Sequence, residues 1–225
     1  MMATRVFLVR HGATVLTRED SFSGSTNVDL SDAGRMQAAS LGERLKEEKI
    51  DAAYCSNKQR AIDTATLICK PHNLVPEQRD ALREIDHGHW EGRRRHDVEI
   101  EFASEYAEWE ADPFVFAPKD GESGLSVLNR SLPVVREIVA EHAGKTILIV
   151  SHKATIRLLI SSLLGIDLRG YRDRLDQHPA CLNILDFKDP SHARLTVFND
   201  ISHYGDYPGR PEGRLSKWWD APKQP

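Results

Sequence analysis

The segment RVFLVRHGAT, residues 5–14, changes its chemical character at one position. Its first five residues form a short apolar run with a β-branched valine near each end, which is typical of a buried β-strand. The run stops at Arg10 and His11, and Gly12 then opens a polar stretch. We therefore predict a buried strand that ends at Val9 and places a guanidinium and an imidazole side by side at the edge of a sheet.

A second segment of the chain repeats this arrangement. TILIV, residues 146–150, is another short apolar run, and Ser151 and His152 follow it. Ligands of open α/β sheets bind just beyond the carboxyl ends of the strands. The two histidines that follow the two buried strands are therefore predicted to lie at the same edge of one sheet, where a ligand would bind.

Apolar spacing and turn residues predict the remaining elements. Helices are expected over residues 30–49, 57–70, 98–109, 125–139 and 154–164, the first with Ser31 as N-cap and the last ended by Gly165. Pro133 is expected to kink the 125–139 helix or to mark a shortened start. Short strands are expected over residues 51–56, 74–79, 181–187 and 193–198, the last two as an antiparallel pair. Strands that alternate with helices predict an α/β fold, a three-layer α/β/α sandwich with a mainly parallel central sheet.

Length, charge and cysteine content limit what the protein can be. The 225 residues suffice for a single domain, expected over residues 1–204 with a Pro/Gly-containing tail over 205–225. A formal net charge of −4 argues against general nucleic-acid binding. No apolar run approaches the roughly 18 residues of a membrane span, and the three cysteines form no CxxC pair. We therefore expect a cytoplasmic protein, a monomer or homodimer, with reduced thiols and no nucleic-acid or membrane partner.

Several segments of the predicted fold supply side chains whose chemistry suits a phosphoryl group. Arg60 begins the helix that follows the strand at 51–56, and Glu84 lies in the later segment LREID. Arginines bind phosphate oxygens through paired hydrogen bonds, and a neutral imidazole is a competent nucleophile near neutral pH. A carboxylic acid protonates a departing alkoxide. The candidate catalytic residues, which require no metal or other cofactor, are therefore His11, Glu84, Arg10, Arg60 and His152.

Blocks in the same order resemble the histidine phosphatase superfamily, also called the phosphoglycerate mutase-like family. They are LVRHGAT, SNKQRAIDTA, LREIDHGHWEG, GES and IVSHKATIRLL, and the likeness extends over about residues 5–204. The resemblance implies the phosphoglycerate mutase-like fold and a phosphatase that acts through a phosphohistidine on a small metabolite, such as a sugar phosphate or a phosphoglycerate. In that mechanism His11 is the nucleophile, and Glu84 is the general acid and then the base. Arg10, Arg60 and His152 hold the phosphoryl oxygens.

The same resemblance points to further residues in contact with the substrate. Thr17 stands where phosphoglycerate mutases carry an asparagine that helps to hold phosphate. Arg94 and Arg95 follow the WEG block, a segment that lies over the pocket mouth in the family, and with Lys153 they are expected to hold a second anionic group of the substrate. The predicted phosphate and substrate ligands are therefore Arg10, Thr17, Ser23, Gly24, Arg60, His152, Lys153, Arg94 and Arg95.

Three other interpretations remain open on the sequence alone. The first is a phosphoglycerate mutase, although such mutases carry a long basic insertion where only a short segment joins Gly92 to Gly121, which favours hydrolysis. The second is a non-catalytic phospholigand-binding module, which would be expected to lack one of the core residues, whereas all are present. The third is a metal hydrolase built on Asp86, His87, His89 and Glu91, because an HxH pair on a strand places both imidazoles on one face.

Overall fold

The computed structural model describes residues 3–15 and 21–205, so the predicted ligand Thr17 and the tail from residue 206 onward lie outside the described residues. The strands are β1 (Thr4–Arg10), β2 (Ala52–Cys55), β3 (Glu77–Gln78), β4 (Thr146–Ser151), β5 (Leu182–Asp189) and β6 (His192–Asp200). The helices are α1 (Asp32–Leu45), α2 (Gln59–Cys69), α3 (Arg95–Glu101), α4 (Ala103–Ala111), α5 (Gly124–Glu141), α6 (Lys153–Leu164) and α7 (Tyr171–Arg174).

One sheet joins the six strands in the order β3-β2-β4-β1-β5-β6. The pairs β1–β4, β2–β4 and β2–β3 are parallel, whereas β5 is antiparallel to both β1 and β6. Arg10 pairs with Ser151 at the carboxyl ends of β1 and β4. The predicted mixed α/β fold and the antiparallel pair near the end of the chain are confirmed, and the register brings the two histidine-bearing strand ends together.

Hydrophobic layers cover both faces of the sheet, because successive strand residues point to opposite sides. Val6 and Leu8 of β1 pack with Ile147 and Ile149 of β4 against the apolar faces of α5 and α6. The alternate residues, such as Phe7 and Val9, pack on the other side against α1 and α2. The central strands β1 and β4 each contain an uninterrupted apolar run, because both faces of the sheet are buried there.

Local signals set the ends of some of the helices. The Ser31 hydroxyl accepts the Gly34 amide hydrogen (3.1 Å) and caps α1, and Gly165 adopts a φ of 69° where α6 ends. The prediction that Pro133 marks a shortened start was wrong, because α5 begins earlier, at Gly124, and runs through the proline. Pro133 and Asn129 are exposed, so water can bind the carbonyl that the missing N–H leaves free.

The segment predicted as one helix over residues 98–109 forms two helices instead. The backbone leaves helical geometry at Phe102, between α3 and α4, with φ −122° and ψ 43°. This break lets Phe102 pack beside a mainly aromatic cluster, whose buried members are Phe22, Trp90, Val98, Tyr106 and Trp109. A tertiary contact therefore overrides the helical pattern, and we call this cluster, together with α3 and α4, the cap.

Two further features bear on the expectations from sequence. The strand expected over residues 74–79 is reduced to the two residues of β3, beyond Pro76. In the described part of the chain, no helix is both long and apolar enough to cross a membrane.

Candidate active site

His11 follows directly on β1 and is buried, with 6% of its surface exposed. Its backbone amide donates to the Ser151 carbonyl (3.0 Å), which extends the pairing with β4 by one residue. Its Nδ1 lies 2.8 Å from the Gly12 carbonyl oxygen. A carbonyl oxygen only accepts, so the neutral ring carries its proton on Nδ1 and leaves a lone pair on Nε2.

His152 lies beside His11 at the end of the neighbouring strand. The two ring centroids are 5.0 Å apart, with an angle of 57° between the planes. The Nε2 of His152 is 2.8 Å from the Ser56 hydroxyl oxygen. Its Nδ1 is buried and has no hydrogen-bond partner among the residues that the structure describes. The structure thus brings both sequence-predicted histidines into one site.

The environment keeps both imidazoles neutral. Burial lowers the pKa of His11 well below its ordinary value, and the positive charges of Arg10 and Arg60 add to the effect. Burial also lowers the pKa of His152, with contributions from Arg60, His11 and Arg10. An imidazole that stays neutral at physiological pH keeps its lone pair, which a nucleophile needs.

Two arginines converge on the same region. Arg60, the second residue of α2, is almost completely buried and donates from its two terminal nitrogens to the carbonyls of Thr26 and Gly24 (2.7 Å each). Arg10 donates from Nη1 to the Gln177 carbonyl (2.6 Å), and its buried Nε has no acceptor within residues 3–15 and 21–205. A buried guanidinium N–H without a protein acceptor is a feature expected of a site that receives an anion.

The loop that supports Arg60 includes Gly24, one of the predicted phosphate ligands. The Gly24 amide donates to Glu91 Oε1 (2.9 Å), so this hydrogen is already engaged within the protein. A Cβ at position 24 would come within 1.7 Å of the Ile85 carbonyl oxygen, which explains why glycine is required there. Ser23 precedes it and is half-buried. In this structure Gly24 supports Arg60, and the Glu91 carboxylate, which sequence reasoning did not single out for this role, holds the loop.

The side chain of Glu84, which is 8% exposed, reaches from the segment after β3 to the N-terminus of α6. Its Oε2 accepts the Ala154 amide hydrogen (3.1 Å), and its Oε1 accepts those of Thr155 (3.2 Å) and Ile85 (3.0 Å). Free N–H groups at a helix N-terminus bind negatively charged groups, so the first turn of α6 holds this carboxylate. His152 is the N-cap of the same helix, and Glu84 is thereby placed beside the histidine pair.

Lys153 forms an ion-paired group with two residues that sequence reasoning missed. Asp176 Oδ1 lies 3.0 Å from Lys153 Nζ and 3.0 Å from Arg157 Nη2. Burial lowers the pKa of Lys153 to about 7, and the charges of Arg157 and Arg10 contribute. The spacing of Lys153 and Arg157 was the available signal, because residues four apart lie on one face of a helix.

The predicted ligands Arg94 and Arg95 lie in the cap. Arg94 is exposed, is the N-cap of α3 and pairs in a β-bridge with Ser21. Arg95 Nη1 lies 3.5 Å from the hydroxyl oxygen of Tyr106 in α4. The β-bridge attaches the arginine segment to the chain that leads to Gly24.

The geometry expected for a metal site is not found at His87 and His89. Residues 88–90 form a 3₁₀ turn rather than a strand, so the HxH spacing does not place both imidazoles on one face. The His87 ring packs against Phe22, and His89 Nδ1 lies 3.1 Å from the Lys119 carbonyl oxygen. In the described ranges, no cluster of three or more His, Cys, Asp or Glu side chains forms a metal site.

Comparison with known proteins agrees with this geometry. The profile of the histidine phosphatase superfamily (branch 1) matches residues 6–201. Phosphoserine phosphatase 1 of Hydrogenobacter thermophilus is 32% identical over 167 residues, which cover 74% of this chain and 79% of that protein. The adenosylcobalamin/alpha-ribazole phosphatase of Salmonella typhimurium is 33% identical over 200 residues, covering 87% of this chain and 96% of that protein.

Solved structures show the same likeness. The mycobacterial glucosyl-3-phosphoglycerate phosphatase Rv2419c superimposes with a TM-score of 0.80 at 28% identity, covering 88% of this chain and 99% of that one. Bacillus stearothermophilus YhfR superimposes with a TM-score of 0.83 at 29% identity, covering 89% and 99%. The chain therefore belongs to the histidine phosphatase superfamily, branch 1, and is a phosphomonoester hydrolase of that family.

Proposed function

We propose that the chain hydrolyses a small phosphorylated metabolite in two steps, through a phosphohistidine at His11. The observation that carries this proposal is the geometry of the histidine pair. His11 is fixed at a strand end with Nδ1 bonded to the Gly12 carbonyl (2.8 Å), and the His152 ring lies 5.0 Å away. The Nε2 lone pair of a neutral His11 is thereby free to attack phosphorus.

The two steps balance as follows. In the first, His11 Nε2 forms a bond to phosphorus while the bond from phosphorus to the ester oxygen breaks, and Glu84 gives its proton to the departing oxygen. In the second, water attacks phosphorus, the phosphorus–nitrogen bond breaks, and Glu84 takes a proton from the water. The products are the free alcohol and inorganic phosphate, and His11 and Glu84 return to their starting states.

Arg10, Arg60 and His152 hold the phosphoryl oxygens in this proposal. Arg10 presents its buried Nε, and Arg60 is held rigidly by the carbonyls of Gly24 and Thr26. Fixed donors stabilise charge as it develops in the transition state, and they need no reorganisation at that moment. The two guanidinium groups supply the positive charge that a metal would otherwise provide, so the reaction proceeds without one.

The substrate proposed is a small phosphate ester with a second polar or anionic part, such as a sugar phosphate or a phosphoglycerate. The names of the related enzymes include phosphoserine, alpha-ribazole and glucosyl-3-phosphoglycerate phosphatases. Lys153 is the contact proposed for a second anionic group, because its ammonium lies on the turn of α6 that also holds Glu84. Arg94 and Arg95 are proposed as outer contacts.

Cellular location and assembly are also proposals. The three cysteines, Cys55, Cys69 and Cys181, are unpaired and buried, which suits a reducing cytoplasm. The chain is proposed to act as a monomer or a homodimer, and light scattering distinguishes the two.

A screen of phosphomonoesters tests the function directly. Purified wild type and His11→Ala would be assayed for released phosphate and for isomerised phosphoglycerates, with and without EDTA. The proposal expects phosphate release by wild type that EDTA does not inhibit, and none above background by the variant. Isomerised product without net phosphate release would identify a mutase, and inhibition by EDTA that one divalent metal reverses would identify a metal hydrolase.

A further inference from the structure

Arg130, on α5, has a side chain in which every N–H group is engaged. Its Nη1 donates to the carbonyls of Ala81 (2.8 Å) and Arg83 (2.9 Å), and its Nη2 donates to the carbonyl of Glu84 (3.0 Å). The remaining donors, on Nε and Nη2, bind the two carboxylate oxygens of Glu122 at 2.8 Å each. A guanidinium has five N–H donors in a fixed plane, and here all of them have acceptors.

Glu122 completes this arrangement from the other side. Its Oε2 accepts the Asp86 amide hydrogen (3.1 Å), and its Oε1 lies 2.8 Å from Arg83 Nη2. Burial alone would raise the pKa of Glu122, but hydrogen bonds and charge from Arg130, with further charge from Arg83, lower it. The Glu122 and Arg130 side chains are each only 15% exposed. Together they bind the backbone of residues 81–86, the segment that carries Glu84.

The carboxylate of Glu84 and its backbone are held by different groups. Amides of Ile85, Ala154 and Thr155 hold the carboxylate. Only the Arg130 contact, among those described here, bonds the backbone carbonyl of Glu84 itself. Proton transfer requires the carboxyl group to lie within hydrogen-bond distance of the ester oxygen. A small displacement of the Glu84 backbone would therefore slow proton transfer to the leaving group.

We propose that Arg130, oriented by Glu122, is a positioning residue that aims the Glu84 carboxyl group at the departing oxygen. The proposal rests on the acid role of Glu84 in the proposed function and extends it to a residue that does not touch the substrate. A lysine at position 130 keeps the charge but not the planar fork, and its single nitrogen cannot span three carbonyls and a carboxylate.

Comparing substrates with different leaving groups distinguishes a positioning role of Arg130 from a role in fold stability alone. An alkoxide needs a proton as it departs, whereas p-nitrophenolate needs one much less. For Arg130→Lys we expect kcat/KM on an alkyl phosphate to fall about ten- to hundredfold, and on p-nitrophenyl phosphate to fall less than about threefold. A residue that only stabilised the fold would lower both rates by the same factor.

Arg5→Lys is the matched control. Arg5 also binds a carboxylate with two hydrogen bonds, to Asp186 at 2.8 and 3.0 Å, but it lies at the opposite end of β1 from His11. This variant should leave the ratio of the two rates unchanged. Thermal unfolding of both variants measures their stability. If Arg130→Lys does not fold, Glu122→Gln gives the same comparison, because it weakens the hydrogen bonds between Glu122 and Arg130 from the Glu122 side.

A double variant with Glu84→Gln decides whether the effect passes through the acid. In the Glu84→Gln background, Arg130→Lys should cause no further selective loss on the alkyl phosphate. Equal losses on both substrates, or an undiminished selective loss in that background, would overturn the positioning role while leaving the proposed function intact. If Glu84→Gln alone shows no selectivity, the acid role of Glu84 fails, and the positioning role fails with it.

Discussion

Burial is what makes His11 reactive at the scale of the single residue. Many nucleophiles need a neighbouring base to remove a proton. Here a hydrophobic strand end and two buried guanidinium groups hold the imidazole in its neutral form. The protein therefore loses little reactivity to protonation of His11 as the pH falls toward the ordinary pKa of histidine, and a general base for the nucleophile is unnecessary.

Replacing the proposed acid should affect substrates unequally. Glu84→Gln keeps the size and part of the hydrogen bonding of the side chain but removes the transferable proton. We predict that turnover of alkyl phosphates falls about 10²- to 10⁴-fold, while turnover of p-nitrophenyl phosphate falls much less. Steady-state kinetics on both esters measures this, and equal losses would mean that Glu84 does not protonate the leaving group.

Lys153 should confer a pH-dependent preference. With its pKa near 7, its ammonium is charged below that pH and increasingly neutral above it. We predict that the ratio of kcat/KM for an ester with a distal acid to that for its neutral analogue falls as the pH rises from about 6 to about 8. Lys153→Met should remove this trend and the exposed Lys188→Met should not; a ratio that is constant with pH in wild type argues against the contact.

At the scale of elements, the site depends on how α1 meets the loop after β1. A Cβ at Gly34, in the first turn of α1, would come within 2.0 Å of the Ala13 carbonyl oxygen, and one at Gly12 would come within 2.5 Å of the Gly34 carbonyl oxygen. Ser31 joins the same contact by donating its hydroxyl hydrogen to the Ala13 carbonyl (3.1 Å). The segment that carries His11 therefore rests directly on a helix backbone.

A methyl group at this contact should disturb both stability and catalysis. We predict that Gly34→Ala lowers the free energy of unfolding by about 1–3 kcal/mol, because backbone atoms must move apart. Activity should fall as well, since Ala13 lies two residues from the nucleophile. Gly205→Ala, whose Cβ would meet Ile201 at an ordinary 3.9 Å, is the control for both measurements. Unchanged stability in Gly34→Ala would show that the loop around Ala13 can move away from α1 at little energetic cost.

The sequence predicts best the elements whose signals are local. β1 and β4 appear within one residue of their predicted limits because both are uninterrupted apolar runs, and the glycine after α6 acts as expected. The break at Phe102 follows from packing against distant aromatic rings, which helical spacing does not encode. The support by Arg130 was equally hidden, because three of its partners are backbone carbonyls of a segment far away in the chain.

At the scale of the whole molecule, parallel pairing assembles one site from distant parts of the chain. The ends of β1 and β4 supply the histidines, the first turn of α2 carries Arg60, and the first turn of α6 binds the carboxylate of Glu84. Two backbone hydrogen bonds attach the cap to the loop that supports Arg60. The Gly92 amide donates to the Phe22 carbonyl (2.7 Å), and the Phe22 amide donates to the Arg93 carbonyl (2.9 Å).

The arginines at the start of α3 should have a small, selective effect. Arg94 is in contact with solvent, so water screens its charge. We predict that an Arg94→Ala/Arg95→Ala variant loses about two- to fivefold in kcat/KM on an ester with a distal acid, and nothing on the neutral analogue. The exposed Arg136→Ala on α5 is the control. Equal changes in kcat/KM on both esters would show that these arginines do not contribute to substrate specificity.

Trapping the covalent intermediate tests the central claim most directly. Wild type would be mixed with a ³²P-labelled substrate and quenched in alkali within milliseconds. We predict labelled protein whose label is stable in base and lost in acid, as expected of a phosphohistidine, and no label in His11→Ala that retains its fold by circular dichroism. Label that persists in His11→Ala, or turnover by wild type with no labelled protein at any time, would contradict the account.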